Sequence, residues 1–79
     1  MNAQGISLIS LPSNKTGRII GIEGGYGFQR KLRVMGIREG QTIKIITRQP
    51  FCGPLTIQVC GSQMTLGRGM AQKIFVEVI

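Results

Sequence analysis

The hydrophobic and polar positions along this chain form short runs that are separated by glycine, proline and small polar residues. In residues 55–60 they alternate strictly, with Leu55, Ile57 and Val59 on one face, which is the pattern of a half-buried β-strand. Other short runs, rich in apolar and β-branched residues and bounded by turn residues, predict further strands. The predicted strands are residues 6–11, 16–23, 42–48, 55–60, 63–66 and 74–79.

One segment has a different period. Phe28, Leu32 and Met35 are spaced i, i+4 and i+7, which predicts one buried face of a helix over residues 26–35. Gly36 follows, and a glycine at this place commonly ends a helix because it accepts the left-handed conformation. The remaining directions of this helix carry Gln29 and three cations, so its outer side is predicted to be cationic.

Five or six short antiparallel strands, tight turns and one short helix in 79 residues predict a mainly β fold. The best fit is a small, strongly bent SH3-like barrel with the helix inserted at about residues 26–35. Gly61 and Ser62 are the predicted two-residue turn between two strands. Residues 6–11 can be the first strand or an arm that docks on the barrel. The length predicts a single domain, residues 1–79.

Charge and missing residue types narrow the function. Ten Lys and Arg residues face three glutamates, so the formal net charge is +7 and an anionic partner is expected. Without His or Asp, only the three glutamates could act as general acids or bases, so we expect no enzyme and no cofactor. Cys52 and Cys60 are expected to be free thiols, and as two sulfurs without imidazole they are weak candidates for a metal site.

Two features are candidates for contact with a partner. Arg30, Lys31 and Arg33 form either a solvated helix face or a binding surface, and the excess of positive charge favours binding. Phe51 lies in a loop with two prolines, and it is either folded back on the barrel or offered to a partner. The four aromatic residues do not alternate along a strand, which argues against a surface that stacks nucleic acid bases.

Several fragments in order resemble the FeoA family over nearly the whole chain. They include Gly-Arg-Ile-Ile-Gly-Ile-Glu-Gly-Gly at 17–25, Leu-x-x-Met-Gly-Ile-x-x-Gly at 32–40 and Val-Cys-Gly-Ser at 59–62. The resemblance implies a small cytoplasmic SH3-like barrel that accompanies FeoB, a membrane ferrous-iron transporter with a cytoplasmic G-protein domain. It supplies no catalytic residues and no agreed iron ligands. The same fold occurs as the C-terminal domain of metal-dependent transcriptional repressors.

The expected function is therefore a non-catalytic accessory or regulatory role in ferrous iron uptake. The chain would contact the FeoB-type transporter through Arg30, Lys31, Arg33 and Phe51. It would be cytoplasmic, without insertion into the membrane, and recruited to the inner face of the membrane by its partner. Alternatives are a basic nucleic-acid-binding module and a stand-alone metal-sensing domain. Weak self-association through an exposed edge strand also remains open.

Overall fold

A computed structural model describes residues 5–51 and 53–79 of the chain. In this part the elements, in chain order, are β1 (Ile6–Ser7), a 3-10 helix (Leu8–Ser10), β2 (Thr16–Ile22), α1 (Tyr26–Val34), β3 (Thr42–Arg48), β4 (Leu55–Val59), β5 (Ser62–Leu66), α2 (Arg68–Ala71) and β6 (Ile74–Val78). Within the described ranges, neither helix is long and apolar enough to cross a membrane.

The six strands form one antiparallel sheet in the order β1-β6-β2-β3-β4-β5, which confirms the predicted mainly β, SH3-like barrel. Two β-bulges bend it. Ile20 is the extra residue of β2 opposite β6, and Ile46 is the extra residue of β3 opposite β4. Because a bulge sharpens the local twist, these two positions let a single sheet curve around one core. β1 and β5 are its edges, so self-association through an edge strand stays a prediction.

Apolar side chains from every strand except β1, and from both helices, meet in one cluster. Its fully buried members are Leu8, Leu11, Ile19, Leu32, Ile37, Ile43, Ile45, Leu55, Ile57, Val59, Leu66, Ala71, Ile74 and Val76. The alternation predicted for β4 is confirmed, since Leu55, Ile57 and Val59 face this core. Among the described residues none that is polar or charged is buried, so the core is held by apolar packing.

The first predicted segment, residues 6–11, divides in two. Only Ile6–Ser7 forms a strand, which pairs with β6, and the next residues turn into a 3-10 helix. The three-residue period of this helix brings Leu8 and Leu11 into the core together, which an extended strand would not do. The guanidinium of Arg48 donates hydrogen bonds to the carbonyls of Ile9 (2.8 Å) and Leu11, and so ties the segment to the end of β3.

The turn between β4 and β5 differs by one residue from the predicted one. Val59 pairs with Ser62, so the two turn residues are Cys60 and Gly61, not Gly61 and Ser62. Both have positive φ, 51° and 83°, as in a type I′ turn. This turn is favoured because its twist matches that of the flanking strands, and Cys60 carries the conformational strain.

The Cys60→Asn variant is expected to be more stable than the wild type by about 1 kcal/mol, because Asn-Gly is the preferred type I′ pair. Thermal unfolding should show a midpoint raised by about 4–8 °C. Cys60→Val is the matched control: its branched side chain tolerates positive φ poorly, so the midpoint should fall. Equal midpoints for the two variants would contradict the assigned turn.

Candidate functional site

The predicted cationic helix begins at a turn that only a few side chains hold in place. Gly24 has φ 122°, and a Cβ there would lie 2.8 Å from the ring of Phe28, so the turn requires glycine. Gln29 reaches back from the helix, and its Nε2 donates to the carbonyls of Ile22 (3.1 Å) and Gly24 (3.0 Å). The passage from β2 to α1 is therefore a specific strand-to-helix connection.

The end of α1 is closed as predicted at Gly36, which has φ 94°. The N–H of Gly36 donates to the carbonyl of Arg33 (3.0 Å), and the N–H of Ile37 donates to the carbonyl of Leu32 (2.9 Å). These two bonds form a Schellman motif, and the accompanying apolar contact is supplied by Leu32 and Ile37, which are both buried. The prediction of a helix over residues 26–35 is thus confirmed to within one residue, with Met35 as its C-cap.

The inner face of α1 consists of the three residues that its periodicity indicated. Leu32 is fully buried, and Phe28 and Met35 pack against the core while partly exposed. The ammonium of Lys73 lies 5.1 Å from the centre of the Phe28 ring, a cation–π contact that links the helix to the start of β6. The core therefore fixes which side of α1 faces outward.

Arg30, Lys31 and Arg33 all lie on the exposed side of α1, as the sequence predicts. Successive helix residues are rotated by about 100°, so Arg30 lies opposite Leu32 and points away from the core. Lys31 and Arg33 lie on the two flanks of the helix, one on either side of Leu32. The helix contains no acidic residue, and the one ion pair within the described ranges joins Arg18 to Glu77 at 3.3 Å. The three cations are thus available to an external anion.

Two apolar residues on the same side of α1 were missed by sequence reasoning. Tyr26 is 79% exposed and Val34 is 80% exposed, and with Arg30 they follow the i, i+4, i+8 spacing of one helix stripe. The sequence could have indicated their exposure, because neither residue fits the spacing of Phe28, Leu32 and Met35 that marks the buried face. We call Tyr26, Arg30, Lys31, Arg33 and Val34 the outer face of α1; such a mixture of aromatic, apolar and arginine side chains is typical of interface centres.

A shallow recess borders this face, where α1 meets the segment that follows it. It measures about 150 Å³ and is lined by Ile22, Gln29, Arg33, Ile37, Arg38 and Glu39. Its lining is mixed, and at this volume it has room for one side chain of a partner rather than for a separate small molecule.

The structure answers the question of where Phe51 points. Its side chain is 98% exposed, so it is offered to solvent and not folded back on the barrel. The loop is closed by hydrogen bonds from the N–H of Gly53 to the carbonyl of Pro50 (3.2 Å) and from Gln49 to Pro54 (3.1 Å). Phe51 has φ 58°, a backbone conformation that is rare for a bulky residue. Among the described residues it is also the most exposed large apolar side chain.

The predicted contact residues do not form one cluster. β3 begins shortly after α1 and ends immediately before the loop that carries Phe51, so α1 and this loop connect to opposite ends of the same strand. Seven residues of strand extend roughly 20 Å, and the whole described domain measures only 29 × 26 × 25 Å. Arg30, Lys31 and Arg33 therefore belong to one surface, and Phe51 belongs to another.

Only one of the two candidate metal ligands lies in the part of the chain that the structure describes. Cys60 is an exposed free thiol in the β4–β5 turn, and Cys52 lies outside the described residues. Within residues 5–51 and 53–79, no three His, Cys, Asp or Glu residues are grouped closely enough to hold a metal ion.

Comparison with known proteins covers nearly the whole chain. The FeoA domain family matches residues 6–78. A protein of Methanocaldococcus jannaschii named "Putative Fe(2+) transport protein A" is 43% identical over 56 residues, which are 71% of this chain and 66% of that protein, just under two thirds of its length.

Solved structures agree with this match. A crystal structure of an iron uptake regulatory protein, FeoA, is 29% identical, with a TM-score of 0.86 over 95% of this chain and 99% of that one. A manganese-dependent transcriptional repressor superposes with a TM-score of 0.89 at 20% identity over all of this chain and 44% of the repressor, which shows a shared fold alone. With the family match spanning β1 to β6, the chain belongs to the FeoA domain family.

Proposed function

We propose that this chain is a non-catalytic accessory protein of ferrous iron uptake that binds the cytoplasmic G-protein domain of an FeoB-type membrane transporter. The relative from Methanocaldococcus jannaschii, whose name refers to Fe(2+) transport, supports the connection to iron. The outer face of α1 is the observation that carries the contact, because it combines three cations with two exposed apolar side chains on a rigidly anchored helix.

The partner surface that complements this face is acidic with apolar patches. Desolvated arginine and tyrosine side chains are common anchors of binding energy, and both occur in the stripe of Tyr26, Arg30 and Val34. The net charge of +7 would also speed the encounter with an acidic surface through long-range attraction. The recess beside Arg33 would take a single side chain of the partner.

The same contact would set the location of the protein. Bound to the cytoplasmic domain of a membrane transporter, the chain would reside at the inner face of the membrane. The chain would then influence transport by binding alone, because binding favours some conformations of the G-protein domain over others.

Direct binding tests this proposal. The purified chain is titrated into the purified G-protein domain of an FeoB-type transporter at low and at physiological salt. We expect saturable binding that weakens with salt, because the contact is partly ionic. Single-stranded DNA and duplex RNA are titrated in parallel, as are Fe(II) and Zn(II) ions.

The outcomes separate the alternatives. No binding to the G-protein domain at either salt concentration would contradict the proposal. Tighter binding to nucleic acid with a steep salt dependence would favour the nucleic-acid module instead. Saturable heat with a metal ion and none with the G-protein domain would favour a metal-sensing domain.

A further inference from the structure

The end of the sheet opposite α1 gathers cations and one exposed aromatic residue. β3 and β5 are both antiparallel to β4, so both finish at this end, at Arg48 and Leu66. The loop with Phe51 follows Arg48 directly, and Arg68 follows two residues after Leu66. The guanidinium of Arg48 also binds the carbonyl of Leu11, and the turn that follows Leu11 ends at Lys15, whose N–H donates to the carbonyl of Pro12 (3.1 Å). We call Lys15, Arg48, Phe51 and Arg68 the loop end.

The loop end has no acidic residue to balance its charge. All three glutamates of the chain lie elsewhere: Glu23 and Glu39 flank α1 in sequence, and Glu77 is paired with Arg18. Arg48 donates its hydrogen bonds to backbone carbonyls, which hold the guanidinium in place but do not neutralise it. Lys15 and Arg68 are exposed. The loop end therefore presents a positive field around Phe51.

Phe51 projects from this surface as a single apolar side chain. Pro50 and Pro54 beside it are exposed as well, so the tip of the loop is apolar. Two hydrogen bonds close the loop, from the N–H of Gly53 to the carbonyl of Pro50 and from the N–H of Gln49 to the carbonyl of Pro54. An aromatic residue held outward at positive φ is a strained arrangement, and strain of this kind is commonly retained where it serves binding.

We propose that the loop end docks on an anionic lipid surface. Phe51 would enter the boundary between headgroups and acyl chains, and Lys15, Arg48 and Arg68 would face the lipid phosphates. A bilayer fits this surface better than a protein pocket does, because one protruding ring surrounded by cations needs a soft apolar layer beneath a plane of negative charge. One apolar anchor and three cations give only weak, reversible binding.

This docking does not depend on the G-protein contact, since the two surfaces lie at opposite ends of β3. Both can be occupied at once. A chain held weakly at the bilayer would meet a membrane-embedded partner at a raised effective concentration, so that two weak contacts reinforce each other.

Vesicle flotation with the purified chain alone tests the proposal. Vesicles of phosphatidylcholine with one third phosphatidylglycerol should carry the wild type upward, and pure phosphatidylcholine vesicles should not. Phe51→Ala should lower the partition coefficient about tenfold through the lost apolar insertion. The double change Lys15→Gln with Arg68→Gln should lower the partition coefficient roughly thirtyfold, since each cation near an anionic surface contributes about 1 kcal/mol.

Matched controls come from α1. Tyr26→Ala removes another exposed aromatic, and Arg30→Gln with Arg33→Gln removes two other cations; both should keep the partition coefficient within about twofold, since these residues lie beyond the Debye length from the bilayer. An equal loss in these controls would mean adsorption by net charge alone and would overturn the proposal. Wild-type partitioning by Phe51→Ala would overturn it too.

A spectroscopic measurement makes the test independent of binding strength. The chain has no tryptophan, so Phe51→Trp supplies the only indole signal. On anionic vesicles its emission should shift to the blue and be quenched by brominated acyl chains. Unshifted, unquenched emission from vesicle-bound protein would overturn the proposal. Loss of G-protein-domain binding by Phe51→Ala without lipid would instead assign the loop end to the protein partner.

Discussion

Replacing Leu32 with alanine is expected to lower the free energy of unfolding by about 2–5 kcal/mol, the largest stability change available in α1. Leu32 is the only residue of the helix that is fully buried, and it also supplies the carbonyl and the apolar contact of the Schellman motif at Gly36. Truncation leaves a cavity between the helix and the sheet, and a small domain has little stability to lose. Urea unfolding followed by circular dichroism measures the change.

Val34→Ala is the matched control for this experiment. Val34 lies two residues further along the same helix but is 80% exposed, so its truncation should change the free energy of unfolding by less than about 0.5 kcal/mol. At the same time Val34→Ala should weaken binding to the partner, because Val34 belongs to the outer face of α1. If both variants unfold at the same urea concentration, the assignment of inner and outer faces is wrong.

Reversing two charges on the outer face of α1 is expected to weaken binding to the G-protein domain roughly hundredfold. In the Arg30→Glu, Arg33→Glu variant, two attractive contacts become repulsive, and like charges facing each other across an interface cost several kcal/mol; a hundredfold loss corresponds to about 2.8 kcal/mol. Stability should be unchanged, because both side chains are exposed and the change is far from the core.

The control variant must carry the same net charge. The double reversal lowers the formal net charge from +7 to +3, and Lys44→Glu with Arg68→Glu lowers it equally. Lys44 is an exposed residue of β3 and Arg68 begins α2, so neither belongs to the outer face of α1. We expect this control to bind within a fewfold of the wild type. Equal losses in the two variants would show that overall charge, not the helix face, directs the contact.

The spacing of apolar residues was sufficient to predict those elements that bury one regular face. The strict alternation of Leu55, Ile57 and Val59 predicted β4, and the spacing of Phe28, Leu32 and Met35 predicted both α1 and its buried face. Such periods are set by backbone geometry, so they survive in any tertiary context that buries one side of the element.

The sequence did not predict the places where the strands depart from regular pairing, which are the two β-bulges and the turn between β4 and β5. Extra residues at Ile20 and Ile46 bend β2 and β3, and the doubled isoleucines that mark them can equally belong to an unbroken strand. The turn between β4 and β5 shifted to Cys60 and Gly61 because register is set by the facing strand and by the twist that a turn must match. Neither cause is visible in the local composition.

By itself, the sequence determined the strands β2 to β6, the helix α1, its buried face, the excess of positive charge and the resemblance to the FeoA family. Each of these depends on residue types or on spacing along one element. Only the tertiary structure decided that Tyr26 and Val34 stand exposed beside Arg30, that Phe51 projects from its loop, and that these two surfaces lie at opposite ends of β3. Such facts depend on how strands pair and bend, which brings distant residues together and separates neighbouring motifs.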